Sequence, residues 1–329
     1  MLDFSSVAKT EAGKPVQHIP VWVGSGKGET LVRAINNLYL TSQSRLFYGQ
    51  INTIVLSESI MKKGFKDVRE VVERSYEMRY TPWLFGTNQP IDQLFAVTPF
   101  FNLSPLMSLL HQPRETYKQQ SLIAPITIRE FASDYQEPGR SALLPSLSMT
   151  SENWKRDEKP KTMLIVDGVH VFQDGNYQGR LDVFKVLGLR WVEPDTNRSP
   201  LLIRSDGEPQ IAVSLESPKI KIMPLVKDGE VTYNLDVKLI GIISEVLHPM
   251  SELDLEQKVA ERVQFEIKQT FEEGLKINAD LLRLEHALYR QKNREWKKLH
   301  EQGKTRLTSD SLNQIQVKVH MDNSGKLKF

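Results

Sequence analysis

The chain has 329 residues, 40% apolar and 26% charged, with 43 basic against 41 acidic side chains and a net charge of +2. This is the composition of a folded protein with room for two or three domains, and its near balance of charge excludes a global field that would draw it to nucleic acid or another polyanion. There is no cysteine, which excludes disulfides, thiolate nucleophiles, cysteine-ligated zinc and iron–sulfur clusters.

The opening residues, MLDFSSVAKTE, carry neither a basic n-region nor an apolar h-region, so no signal peptide is expected. HIPVWVG (His18 to Gly24) reads as a short strand, and GETLVRAINNLYL as an amphipathic helix with Leu31, Ile35 and Leu38 on one stripe. INTIVLS (Ile51 to Ser57) is a continuous β-branched run, the pattern of a strand buried on both faces. Ser57 is placed to cap a following helix, in which Val68, Val71, Val72 and Ser75 fall at helical spacing; MRYTPWLFGT then reads as a strand. Strand, helix, strand, helix, strand implies a small α/β layer with a right-handed crossover. The most apolar segment, Leu94 to Leu110, falls short of the roughly 20 residues a membrane span needs and contains Pro99 and Pro105. It reads as core plus turn.

PITIREFASDY predicts a helix, and MLIVDGVHVFQDGNYQGRL two strands around a turn. RLDVFKVLGLRWV predicts a helix with Leu181, Phe184, Leu187 and Trp191 in register, and the polar stretch SMTSENWKRDEKPK a linker or exposed loop. PQIAVSLES, KIKIMPLV and VTYNLDVKLIGIISEV alternate with period two around PK and KDG turns, the signature of an antiparallel meander. A helix capped by Ser251 follows, with Leu255, Val259, Val263, Ile267 and Phe271 as its stripe and Gly274 as its stop. Asp280 is placed to cap a second helix carrying Leu281, Leu284 and Leu288, and Ser311 to Asp322 reads as a closing strand. The expected class is α+β: several mixed layers, with a small N-terminal α/β sheet domain over residues 1–102, a middle α/β domain over 103–200, and over 201–329 a mostly antiparallel sheet with long helices packed on one face.

No catalytic, cofactor-binding or metal-ligating residue can be assigned. VGSGKGETL (Val23 to Leu31) follows a strand and opens a helix, where phosphate loops occur, but its glycines match neither a Walker loop nor G-x-G-x-x-G. A phosphorylated small molecule at the Gly24–Glu29 loop, bound or turned over, is therefore the alternative reading. His18, His111, His170, His248, His286, His300 and His320 form no metal-binding spacing, and Asp134, Glu137, Asp167 and Asp174 form no evident acid–base pair. Between Arg290 and Arg306 seven bases face two acids, a local excess of +5. A helical register puts Tyr289, Lys292, Trp296 and Leu299 on one stripe and Arg290, Arg294, Lys297 and Lys298 elsewhere, so an amphipathic helix with solvated bases is expected. A membrane-facing or acidic-partner role for these bases is the second reading.

Taken in order, GETLVRAINNL, SRLFYGQINTIVLSESIMKKGF, YEMRYTPWLFGTNQPIDQLF, LLPSLSM, DLLRLEHALYRQKNREWKKL and IQVKVHMDNSGKLKF resemble the C subunits of spore germinant receptors, the Ger(x)C lipoprotein family. Gln50 stands where that family often has His after the aromatic–Gly pair. The resemblance implies a non-catalytic, lipid-anchored protein on the outer face of the inner spore membrane. It would act with integral-membrane A and B subunits in a receptor for small nutrients, with no nucleic-acid partner and no cofactor. The family's secretion signal and lipid-modified cysteine are not in this sequence, so a soluble chain beginning near its first domain is expected and the anchor is implied by the family alone.

Overall fold

The computed structural model describes residues 2–4, 22–44, 46–74, 77–100, 107–205 and 207–322. The first residues of the expected His18–Gly24 strand, Ser75 of the expected valine stripe and residues 101–106 of the apolar segment lie outside these. So do Arg45 and Gly325 of the family pattern.

Strands β1 (Leu2–Phe4) and β2 (Trp22–Gly24) pair antiparallel as a separate ribbon. Helix α1 (Leu31–Tyr39) follows, its Thr30 hydroxyl accepting from Arg33 N at 3.2 Å. None of its residues is fully buried; Leu31, Val32 and Tyr39 are exposed.

Strand β3 (Thr53–Ser57) leads through α2 (Glu58–Lys63) and α3 (Lys66–Arg74) to β4 (Trp83–Thr87), which lies parallel to β3. Its β-branched run suggested a strand buried on both faces; β3 is instead an edge strand and mostly half-buried. Leu56 packs with Met61, Phe65 and Val68 on one side of the sheet, while Val55 meets the Phe85 and Leu94 cluster on the other. Beyond α4 (Ile91–Ala96) and α5 (Pro113–Gln119), the short strand β5 (Ile126–Thr127) enters α6 (Ile128–Gln136). Thr127 and Glu130 form its capping box. Strand β6 (Ala142–Thr150) is joined by an exposed loop carrying the short pair β7 (Lys155–Arg156) and β8 (Lys159–Pro160) to β9 (Met163–Gln173), and a tight turn at Asp174–Gly175 gives β10 (Asn176–Asp182). The main sheet order is β10-β9-β6-β4-β3, with β5 on β4. It draws strands from both sides of residue 102, since Gly86 of β4 lies opposite Ser146 of β6.

The helix expected across Leu181 to Trp191 does not form. Leu181 lies in β10, which ends at Asp182, a single 3-10 turn covers Val183–Lys185, and α7 spans only Leu189–Val192. Asp182 accepts from Phe184 N at 2.9 Å and closes the short turn, and Phe184 points to solvent. The apolar residues had helical spacing by coincidence, because Leu181 and Trp191 bury in different clusters and Phe184 in neither.

The second sheet has the order β11-β12-β13-β14. Strand β11 (Ser199–Ser205) was not anticipated; β12 (Glu208–Lys227) and β13 (Glu230–Val246) join through Asp228 and Gly229, both at positive φ. The expected turn at Pro218–Lys219 is a bulge inside β12, with Ser217 at φ 52 and a register shift between Glu216 and Lys219. Pro218 is tolerated there because the ladder is already interrupted.

After β13 come α8 (Glu252–Lys276), α9 (Leu284–Gln291) and α10 (Asn293–Glu301), then β14 (Leu312–Asp322). Ser251 caps α8, accepting from Asp254 N at 3.2 Å. The expected stripe Leu255, Val259, Val263, Ile267 and Phe271 is buried against Val213, Leu215, Leu235 and Val237. Each such side chain contributes about 1.5–3 kcal/mol through burial. The chain passes Gly274 and ends α8 at Lys276. Asp280 accepts from Leu282 N and Glu285 N at 3.2 and 2.7 Å, but it is not the N-cap expected: α9 starts later, with Arg283 as its N-cap, and Leu281 lies in the turn before it. The helices return the chain to the starting end of β13, so β14 pairs parallel to it and departs from the meander. The architecture is α+β.

The two sheets meet where α7 lies against α8. Gly188 donates its N–H to Thr270 Oγ1 at 2.9 Å, and a Cβ on Gly188 would sit 2.5 Å from Glu266 O. Arg190 pairs with Glu266 at 2.9 Å, their side chains 4% and 1% exposed, and Trp191 Nε1 donates to the same carboxylate at 2.8 Å. Removing one partner of a buried pair strands the other, so Glu266→Ala is expected to lower unfolding free energy by about 3–5 kcal/mol. Lys62→Ala, which breaks the exposed Glu58 pair, should cost under about 1 kcal/mol. Urea unfolding of both variants measures the contrast.

Candidate functional site

A cleft of about 770 Å³ opens between α5 and α6 on one side and the segment after α7 on the other. Its walls are held by a hydrogen-bond network around Ser121. The Ser121 hydroxyl donates to Tyr117 O at 2.8 Å and accepts from Asn197 N at 3.1 Å, while Ser199 Oγ donates to Ser121 O at 2.9 Å. Tyr117 and Thr196 share a hydroxyl pair at 3.1 Å, and Thr196 Oγ1 reaches Arg190 O at 2.7 Å. Burial, with Glu193 and Asp195 nearby, pushes the Tyr117 phenol up to about 12, so it stays a neutral hydroxyl.

At one end of the cleft Arg140 pairs with Asp134 at 2.9 Å and Arg283 with Glu193 at 3.3 Å. Burial lowers the Arg140 pKa, and the like charge of Arg283 lowers it further. Burial also raises the Asp134 carboxyl, against the pull of both arginines. Arg140 Nε is buried without a hydrogen-bond partner among the described residues. At the other end Arg114 lies 3.9 Å from Glu130 and over the Trp83 ring. Of the residues at the Arg140 end only Asp134 was marked in the sequence; Arg140, Glu193 and Arg283 come from the loop before β6, the segment after α7 and the turn before α9, and meet only in space.

Among the described residues the histidines do not converge; His18 lies outside them. Among the described residues no group of three or more His, Asp or Glu side chains is placed to hold a metal ion. His170 is buried in β9, with Nδ1 3.0 Å from the Tyr177 hydroxyl and Nε2 unpartnered. His286 lies by Pro138 O and Glu137, His300 stacks on Trp296, and His320 is 3.9 Å from Glu256. Of the acids considered from sequence, Asp134 is taken by Arg140 and Asp167 by Arg180 at 2.7 Å.

The Gly24–Glu29 loop runs back along α1. A Cβ at Gly26 would overlap Ala34 O and one at Gly28 would lie 2.4 Å from Ala34 N, so these glycines serve close packing on the helix. Lys27 N is directed to Asn37 Oδ1 at 3.4 Å.

The basic segment breaks at Lys292, φ −135, into α9 and α10. Trp296 and Leu299 are buried all the same. The indole Nε1 donates to Glu285 Oε1 at 3.0 Å, and the ring stacks on His300 at 4.6 Å and meets Tyr289 edge-on at 4.8 Å. Arg290, Arg294, Lys297 and Lys298 are exposed. Among the described residues no helix is long and apolar enough to cross a membrane.

Burial and the neighbouring Arg180 hold the His170 imidazole down at about 4, with Glu58 and Asp167 opposing. An unfolded histidine takes up its proton near pH 6.5. Between pH 6.5 and 4 the unfolded chain therefore binds more protons than the folded one, and stability falls as pH drops through that window. The Asp280 carboxyl, raised to about 7 chiefly by burial, has the opposite sign from about pH 4 to 7. His170→Gln leaves Asp280 in place, so the variant should lose less stability than wild type between pH 7 and 5, read by urea midpoints.

Two family models match the chain in order. One, described as spore germination protein N-terminal domain, covers residues 1–149; the other, described as spore germination B3/GerAC like, C-terminal, covers residues 167–325. Spore germination protein B3 of Bacillus subtilis (strain 168) is 22% identical over 229 residues, spanning 68% of this chain and 57% of that protein, so the match covers little more than half of the relative. The crystal structure of the GerBC protein aligns with a TM-score of 0.59 at 17% identity, over 85% of this chain and 82% of that chain, a likeness of fold. With an N-terminal match on the strands of the first sheet and a C-terminal match running through the whole of the second, the chain belongs to the Ger(x)C family of spore germination proteins.

Proposed function

We propose that this protein is a non-catalytic C subunit of a spore germinant receptor, needed for nutrient-triggered germination. The observation that carries the reading is the pair of spore germination family matches, in order, across both sheets. In this reading it works by contact. It assembles with integral-membrane A and B subunits and is held by an N-terminal lipid on the outer face of the inner spore membrane. A contact role suits a molecule whose buried pair, Arg190 with Glu266, and half-buried pair, Asp167 with Arg180, are engaged with one another.

The alternative, a phosphorylated ligand at the Gly24–Glu29 loop, is disfavoured by the packing of Gly26 and Gly28 on α1. Deleting the gene is expected to abolish the germination response to a particular nutrient and leave spores viable. A normal response to every nutrient in the deletion strain overturns the reading. Crosslinking in intact spores should join this chain to membrane subunits, and capture of none of them would refute the assembly.

A further inference from the structure

The cleft beside α6 is not accounted for by a contact role. Its volume, about 770 Å³, lies within the roughly 300–1,000 Å³ usual for small-molecule sites. Its floor is apolar, formed by Leu143, Val169, Leu189, Val192 and Leu281. Charged side chains line both ends, Arg114 with Glu130 at one, and at the other the Arg140 and Arg283 guanidinium groups, which lie close enough to repel. Each has a carboxylate, Asp134 or Glu193, yet Arg140 Nε keeps a buried N–H with no acceptor among the described residues. A buried donor without an acceptor is costly, and a planar guanidinium edge is matched by a carboxylate.

Arg283 is held there by backbone as well. It sits at φ 62, a conformation unfavourable for a residue with a Cβ, in the turn that Asp280 closes into α9. The opposite wall is fixed by the Ser121 network, so the cavity is formed before any ligand arrives. The acids beside the two arginines set a limit on charge. Asp134 and Glu193 would repel a dianion, whereas a single carboxylate meets the two guanidinium groups that line the cleft and leaves its body for the apolar floor.

We propose that this cleft is a binding site for a small organic monocarboxylate with an apolar body, its carboxylate held by Arg140 and Arg283. The inference rests on the cavity and its side chains and stands apart from the receptor reading.

Titration of the full chain with benzoate, followed by methyl NMR, tests it. Benzoate is expected to give saturable shifts at Leu143, Val169 and Leu189. Benzamide, the same shape without the charge, should bind at least tenfold more weakly, and inorganic phosphate should leave these methyls unmoved. Arg140→Lys keeps the charge but loses the planar fork and should weaken benzoate at least tenfold. Arg283→Ala should do the same, and it carries the test if the first variant fails to fold. No shift at the cleft methyls, equal binding of benzamide or phosphate, or unchanged benzoate affinity in a folded arginine variant overturns the proposal. Germination assays do not enter, so failure here leaves the receptor reading standing, and the reverse holds.

Discussion

The ion pair between Arg190 and Glu266 is the constraint around which the two sheets are arranged. Both side chains are out of water, and an uncompensated charge in that position would not be tolerated. The single carboxylate also receives the Trp191 indole and Arg262, while Arg190 turns its other edge to Ser199 Oγ and Pro200 O. From Ser199 the same polar chain runs to Ser121, Tyr117 and Thr196, the wall of the cleft. The position of β11, the seat of α7 on α8 and the shape of the cleft are therefore coupled. Gly188 permits the coupling by letting the backbones approach where any Cβ would overlap.

How far the sequence could be read followed from the range of the forces involved. Helix α8 was legible from its cap through its stripe, though not at its end beyond Gly274, because one face of one element buries Leu255 to Phe271 and the cap is local. The β9–β10 and β12–β13 hairpins announced themselves through their turn residues. Trp296 was recognised as an anchor even though the helix carrying it breaks at Lys292, since burial depends on the face and survives the break. The segment from Leu181 to Trp191 misled because apolar spacing reports burial without saying which layer receives it. Pro218 imitated a turn because a bulge and a turn share the same residues. The cleft was invisible, as its arginines lie far apart in the chain.

The contact role proposed above and a preformed cleft are compatible in one molecule. The fold engages its buried pair, Arg190 with Glu266, and its half-buried group of Arg180, Asp167 and Ser146 internally, where they specify packing. The exceptions are the exposed bases of α10 and, half-buried at the cleft, the half-satisfied guanidinium of Arg140. Groups left over by folding are those available to something else.

The parallel entry of β14 has a kinetic side. Asn234 and Asn313, joined by a side-chain hydrogen bond across that pair of strands, lie 79 residues apart. Closing so long a loop is entropically unfavourable until the intervening helices have shortened it. The β12–β13 hairpin can zip from its tight turn at once, but β14 must wait for α8, α9 and α10 to bring it round. Until then β13 presents an open edge on an apolar sheet, so the nascent domain passes through a stage in which another chain's strand could take the place of its own.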